Sequence, residues 1–117
     1  MLNKKFRFHS RGGVKYVYRR GKTVRSPEMS LVFVENTKGF TRVGVVVSKK
    51  VLKTAVGRNR IRRRVYEVVR RNFEYLPKEM DYIFVVYSKK VATEPYKELE
   101  KMMGKLVAEA KVCYNKK

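Results

Sequence analysis

The chain has little of what protein-based catalysis requires. One cysteine, Cys113, and one histidine, His9, occur in 117 residues. A lone cysteine excludes an internal disulfide and fits a reducing, cytoplasmic setting. No cysteine, histidine or carboxylate cluster lies near His9 in sequence, which favours a surface or packing role over metal binding. The ten acids are scattered, mostly at helical spacings that suit salt bridges, and no Asp-x-Asp, His-x-x-x-His or Gly-x-Ser-x-Gly pattern occurs. A phosphate loop of the Gly-x-x-x-x-Gly-Lys-Ser/Thr type is also missing. Neither a metal site nor a self-contained active site is therefore expected in the polypeptide. Apolar runs fall short of the roughly 20 residues that span a bilayer, and the basic start from Met1 to Phe8 leads into no apolar signal region.

Positive charge is what the chain has in excess. Thirty Lys and Arg against ten Asp and Glu give +20 and an isoelectric point near 10.4. Such a domain repels itself unless a polyanion is near, which points to nucleic acid first and an anionic membrane surface second. Tyr16, Tyr18, Tyr66, Tyr82 and Tyr87 offer rings for unpaired bases, at roughly 1 to 3 kcal/mol per stacked base, and so favour RNA over duplex DNA. With 44% apolar residues the chain can bury one core, so a single domain over 1–117 is expected, with residues 1–9 as an irregular basic arm.

The charge concentrates between Gly57 and Arg71, where seven arginines meet one acid, Glu67. Stepped at 100° per residue, Ile61, Val65, Val68, Val69 and Phe73 share one arc, with Asn72 among them. Arg60, Arg63, Arg64, Arg70 and Arg71 lie opposite, interrupted by Glu67 and Glu74, while Arg58 and Arg62 run along the apolar edge. Arginine at a helix start opposes the macrodipole and leaves the first N–H groups seeking acceptors. Glu67 and Glu74 can pair with Arg63, Arg70 and Arg71 three or four residues away, but two acids cannot match seven arginines. An anionic partner is the missing element.

Around this helix the order reads helix, strand, strand, helix, strand, helix, an α+β sandwich. Ser10 to Arg20 is a short helix with Gly21 as its stop. Lys22 to Glu35 is extended, with Pro27 at an edge or bulge, and residues 36–39 form a hairpin loop. Arg42 to Ser48 is apolar on both faces and is predicted to be a central strand. Thr54 caps the arginine helix, which Leu76-Pro77 ends. Asp81 to Tyr87 is another doubly buried strand. Thr93 and Pro95 open a last helix whose inner stripe is Tyr96, Leu99, Met102, Met103, Leu106, Val107 and Ala110.

Arg42-x-Gly44-x-x-Val47-Ser48-Lys49-Lys50, followed by Ala55-Val56-x-Arg58-Asn59-Arg60-Ile61-Arg62-Arg63, resembles the signature of the protein subunit of bacterial ribonuclease P. Val17 to Gly21 and Asp81-Tyr82-Ile83 extend the resemblance to roughly residues 6–112. It implies a mostly four-stranded sheet with three helices and a left-handed βαβ crossover, of a type shared with a ribosomal-protein domain, against the usual right-handed preference. It also implies a ribonucleoprotein in which an RNA, using Mg²⁺, hydrolyses precursor tRNA at the mature 5′ end. The protein would bind that RNA and grip the single-stranded leader, with no membrane, no DNA and no obligate protein partner. By matching positions, Arg58, Asn59, Arg60 and Arg62 would face the catalytic RNA, joined by Lys49, Lys50 and Lys53. Val14, Tyr18, Thr23 and Val32 would line a leader cleft between the first helix and the sheet, with Asn59, Arg63 and Tyr66 at its edge. The chain departs from the family at Leu52, where glycine is usual. A ribosomal or other structural RNA-binding protein would share the charge and size, and a nuclease acting without RNA would need the acid cluster this sequence lacks.

Overall fold

The apolar runs fold into one four-stranded sheet in the computed structural model, which describes residues 11–36, 40–47, 50–76 and 79–115. Helix α1 (Arg11–Arg20) leads into β1 (Lys22–Arg25) and β2 (Met29–Glu35); β3 (Arg42–Val47), α2 (Ala55–Arg71), β4 (Met80–Val86) and α3 (Tyr96–Asn115) follow. The strand order is β1-β2-β4-β3. β1, β2 and β4 pair antiparallel, whereas β3 lies parallel to β4 and reaches it through α2 as a βαβ unit.

This order corrects two expectations. β3 is the outer strand rather than a central one, and β4 lies between β2 and β3, so these two strands do not pair as a hairpin; residues 37–39 of the expected loop lie outside the described residues. The apolar sequence of β3 has another cause. α2 packs over one face of it, while Val46 on the other face remains half-buried. The arginine helix also ends before Leu76. Asn72 caps it, with its side-chain amide donating to the Val68 carbonyl, and a 3-10 turn over Phe73–Tyr75 follows.

Alternation along the strands sorts the side chains into two layers. On one face, Leu31, Phe33, Val43, Tyr82 and Phe84 meet Ile61 and Val65 of α2 and Leu99 and Leu106 of α3, all buried. Each such side chain contributes roughly 1.5 to 3 kcal/mol of apolar burial. On the other face, Val17 of α1 sits on Val32 and Ile83. Glycine is required at position 21, because a Cβ there would lie 2.5 Å from the Val17 carbonyl oxygen and 2.7 Å from that of Phe33. The Gly21 N–H closes the helix on the Val17 carbonyl at 2.7 Å, so this contact fixes how α1 rests on β2.

Arg42, first residue of the signature, is structural. Its Nε and Nη2 donate to Asp81 Oδ1 and Oδ2 at 2.9 and 2.8 Å, and Asn36 Nδ2 donates to Oδ1 at 2.9 Å. Asp81 is buried, and this paired, multiply bonded arrangement is what makes a buried charge tolerable.

Candidate RNA interface

The entry to α2 is built to hold its arginines in place. Thr54 accepts the Gly57 N–H at 3.1 Å, as the cap position requires. Leu52 packs half-buried on the core, and a Cβ at Gly57 would lie 3.0 Å from its Cδ1 and 2.9 Å from Thr54 Oγ1. The turn is therefore filled by Leu52, with Gly57 as the small residue opposite. Arg58 ties this turn to the helix, its Nη1 donating to the carbonyls of Leu52 and Lys53 at 2.9 Å each. Those bonds give Arg58 a structural task alongside the RNA contact expected of it.

Packing and ion pairs sort the remaining arginines. Arg64 projects toward the turn before α3, where its Nη1 donates to the Val91 carbonyl at 2.6 Å and its Nη2 to that of Glu94. Arg70 and Arg71 both reach Glu67, and Arg71 also lies over the Tyr96 ring at 4.9 Å. The Arg70 contacts, with Arg71 adding to them, lower the Glu67 carboxyl to about 2. Arg60 and Arg63 are exposed, and Arg62 donates from Nη1 to Asn59 Oδ1 at 2.7 Å. With its oxygen so engaged, exposed Asn59 has its amide N–H groups as donors. Helical phase puts Asn59, Arg62 and Arg63 on the flank away from Arg64. The cationic surface is thus the first two turns of α2, extended by exposed Lys50 and Lys53. Lys49 lies outside the described residues.

Beside Arg64 stands a carboxyl pair that sequence reading did not anticipate, because Glu28 and Glu94 belong to distant segments. Glu28 Oε2 and Glu94 Oε1 are buried without a donor. Burial, then the hydrogen bond and charge of the neighbouring Glu28 carboxyl, raises Glu94 to about 7, so that Glu94 keeps a proton with which to donate to Glu28. A carboxyl raised in the folded state gives stability that is complete below about pH 4.5 and is lost as pH rises through 7. Thermal unfolding should therefore show a loss of about 1 kcal/mol between pH 5 and pH 8, limited because the pair is partly open to water. Glu94→Gln should flatten that profile, and an unchanged slope would contradict the proton kept on Glu94.

The second surface is the α1 face of the sheet. Val14 and Val32 meet there with Val17 and Ile83, and Thr23 is the register partner of Val32. Tyr18 stands on α1 with 44% of its surface exposed, and burial of the rest raises its hydroxyl above the usual value. α1 packs mainly on β2 and β4, so the floor continues past it through half-buried Val85 and Val46. Strand alternation could have identified these two residues. The structure thus brings Val14, Tyr18, Thr23 and Val32 to one face. Tyr66 does not join them. It is 7% exposed in the core shared with α2 and α3, on the opposite face of the sheet, because the apolar arc of α2 is wider than its aliphatic residues alone indicate.

Among the described residues no three His, Cys, Asp or Glu side chains converge to hold a metal ion, and no helix is long and apolar enough to cross a membrane. The sequence profile of the family described as Ribonuclease P matches residues 2–111. A ribonuclease P protein component from Finegoldia magna is 39% identical over 99 residues, 85% of either chain. One from Pseudanabaena is 34% identical over 116 residues, 97% of this chain and 98% of that one. Among solved structures, the RNase P protein of Staphylococcus aureus superposes with a TM-score of 0.79 at 21% identity, over 92% of this chain and 96% of that one. That of Thermotoga maritima gives 0.78 at 24% identity, over 86% and 94%. These two show the shared fold.

Proposed function

Because the chain belongs to the ribonuclease P protein family, we propose that it works as the protein half of a cytoplasmic ribonucleoprotein that removes the 5′ leader from precursor tRNA. The observation that carries this reading is the division of the α2 arginines. Arg64, Arg70 and Arg71 are occupied elsewhere in the protein, whereas Arg60 and Arg63 stand exposed on the first turns of α2 with Lys50 and Lys53 before it, and half-buried Arg62 is bound only to its exposed neighbour Asn59 in the bonds described above. Such a surface binds the phosphate backbone of ribonuclease P RNA, with Arg58 holding the turn beneath it. Lys49, outside the described residues, is assigned to the RNA by the resemblance alone.

The other surface receives the leader. An extended, unpaired strand fits an apolar floor between Val14, Val32 and Thr23 and stacks a base on Tyr18. Asn59 and Arg63 reach the strand from the α2 side. Among the described residues no cluster of acids would hold Mg²⁺, and in this reading Mg²⁺ belongs to the RNA, which supplies the hydrolytic chemistry. The protein adds affinity and position, bringing leader phosphates and catalytic RNA under one positive field without DNA, a membrane or a further protein.

Reconstitution tests this. Purified protein added to a bacterial ribonuclease P RNA and labelled precursor tRNA at low Mg²⁺ should raise cleavage at the mature 5′ end and tighten precursor binding. No gain in either, or cleavage by the polypeptide alone, would contradict the reading.

A further inference from the structure

The α1 face carries a second exposed aromatic at its far end, Tyr87, immediately after β4. It is 45% exposed, yet held by two hydrogen bonds. Its N–H donates to the Glu28 carbonyl at 3.2 Å, its hydroxyl meets the Ser30 hydroxyl, and strand alternation places it on the same face as Val85. Ser30 is buried and is the register partner of Val85, which in turn pairs with Val46. The ring therefore reaches diagonally from β4 over β2, a span that aromatic side chains cover. Along β4 this face runs from Ile83, below α1 and beside Val32, through Val85, beside Val46, to Tyr87.

Tyr87 has no packing reason to be so open. A ring buried for stability would face the α2 and α3 core, as Tyr66 and Tyr82 do. Pinning the hydroxyl to a buried Ser30 removes ring rotamers in advance, so a planar ligand loses less entropy in stacking on it. We infer that Tyr87, oriented by Ser30, is a second base-stacking platform that takes a further unpaired nucleotide of the leader, beyond the one at Tyr18. This rests on the leader-binding reading above and sets how long a leader must be to gain full affinity.

The test uses the assembled holoenzyme with precursors of increasing leader length, each carrying 2-aminopurine at one leader position. Wild-type protein should show one position quenched at Tyr18 and a second, separate position quenched at Tyr87. Tyr87→Ala should restore fluorescence only at the second position and weaken binding of long-leader precursors about tenfold, leaving short-leader precursors and mature tRNA unchanged. Tyr87→Phe, which keeps the ring, should retain the quenching. Loss of affinity at every leader length, or quenching that survives Tyr87→Ala, would overturn the role of Tyr87 while leaving the leader cleft standing. Wild-type affinity that ignores leader length altogether would instead overturn the leader-binding reading on which Tyr87 depends.

Discussion

Arg60→Ala combined with Arg63→Ala should weaken binding to ribonuclease P RNA by about 30-fold, roughly 2 kcal/mol, with no change in the unfolding transition. Both side chains are exposed on the first two turns of α2. Each phosphate neutralised contributes about 0.7 to 0.9 to the slope of log affinity against log salt, so the double variant should also flatten that slope by about 1.4 to 1.8. Filter binding across a salt series reads both quantities. Arg64→Ala is the internal contrast. Its guanidinium joins α2 to the carbonyls of Val91 and Glu94, so its removal should cost about 2 kcal/mol of stability, with RNA affinity per folded molecule preserved. If Arg60 and Arg63 moved stability while Arg64 moved affinity, the assignment of surfaces would be reversed.

Asp81→Ala should destabilise the fold by about 3 kcal/mol, measured as a shift of the denaturant midpoint at constant slope. The buried carboxylate accepts two bonds from Arg42 and one from Asn36, whose amide also donates to the Phe40 carbonyl at 3.1 Å, and its removal breaks three bonds at once. Arg42 keeps a path to water, its side chain being 25% exposed, which holds the loss below that of a fully enclosed cation. A loss under about 1 kcal/mol would show that Arg42 and Asn36 rehydrate freely and that the pair does not anchor the start of β4.

Much of this architecture was legible because it rests on local chemistry. Thr54 as a cap, Gly21 as a stop and the stripe from Leu99 to Ala110 follow from hydrogen-bonding rules and helical period, and the structure has each of them. What sequence could not show depends on which segments meet. The apolar run of β3 looks the same whether it lies at the centre of a sheet or at the edge beneath a cleft. Arg58 and Arg64 look like any arginine of a basic face until the carbonyls they bind are known. Tyr66 carries a hydroxyl that suggests a rim position, yet its ring completes the core, while Tyr87, of the same residue type, is left standing on the open face. The motif named by the resemblance falls on the first turns of α2, where tertiary packing decides which arginines are bound within the protein.

A crossed comparison of two variants in the reconstituted enzyme tests the central claim, that RNA and leader occupy different surfaces of this domain, most directly. Affinity for ribonuclease P RNA, and the ratio of precursor to mature tRNA affinity, would be measured for Arg60→Ala with Arg62→Ala and for Tyr18→Ala. The arginine pair should lower the first quantity more than the second, and Tyr18→Ala should lower only the second. Equal effects of both variants on both quantities would contradict the account.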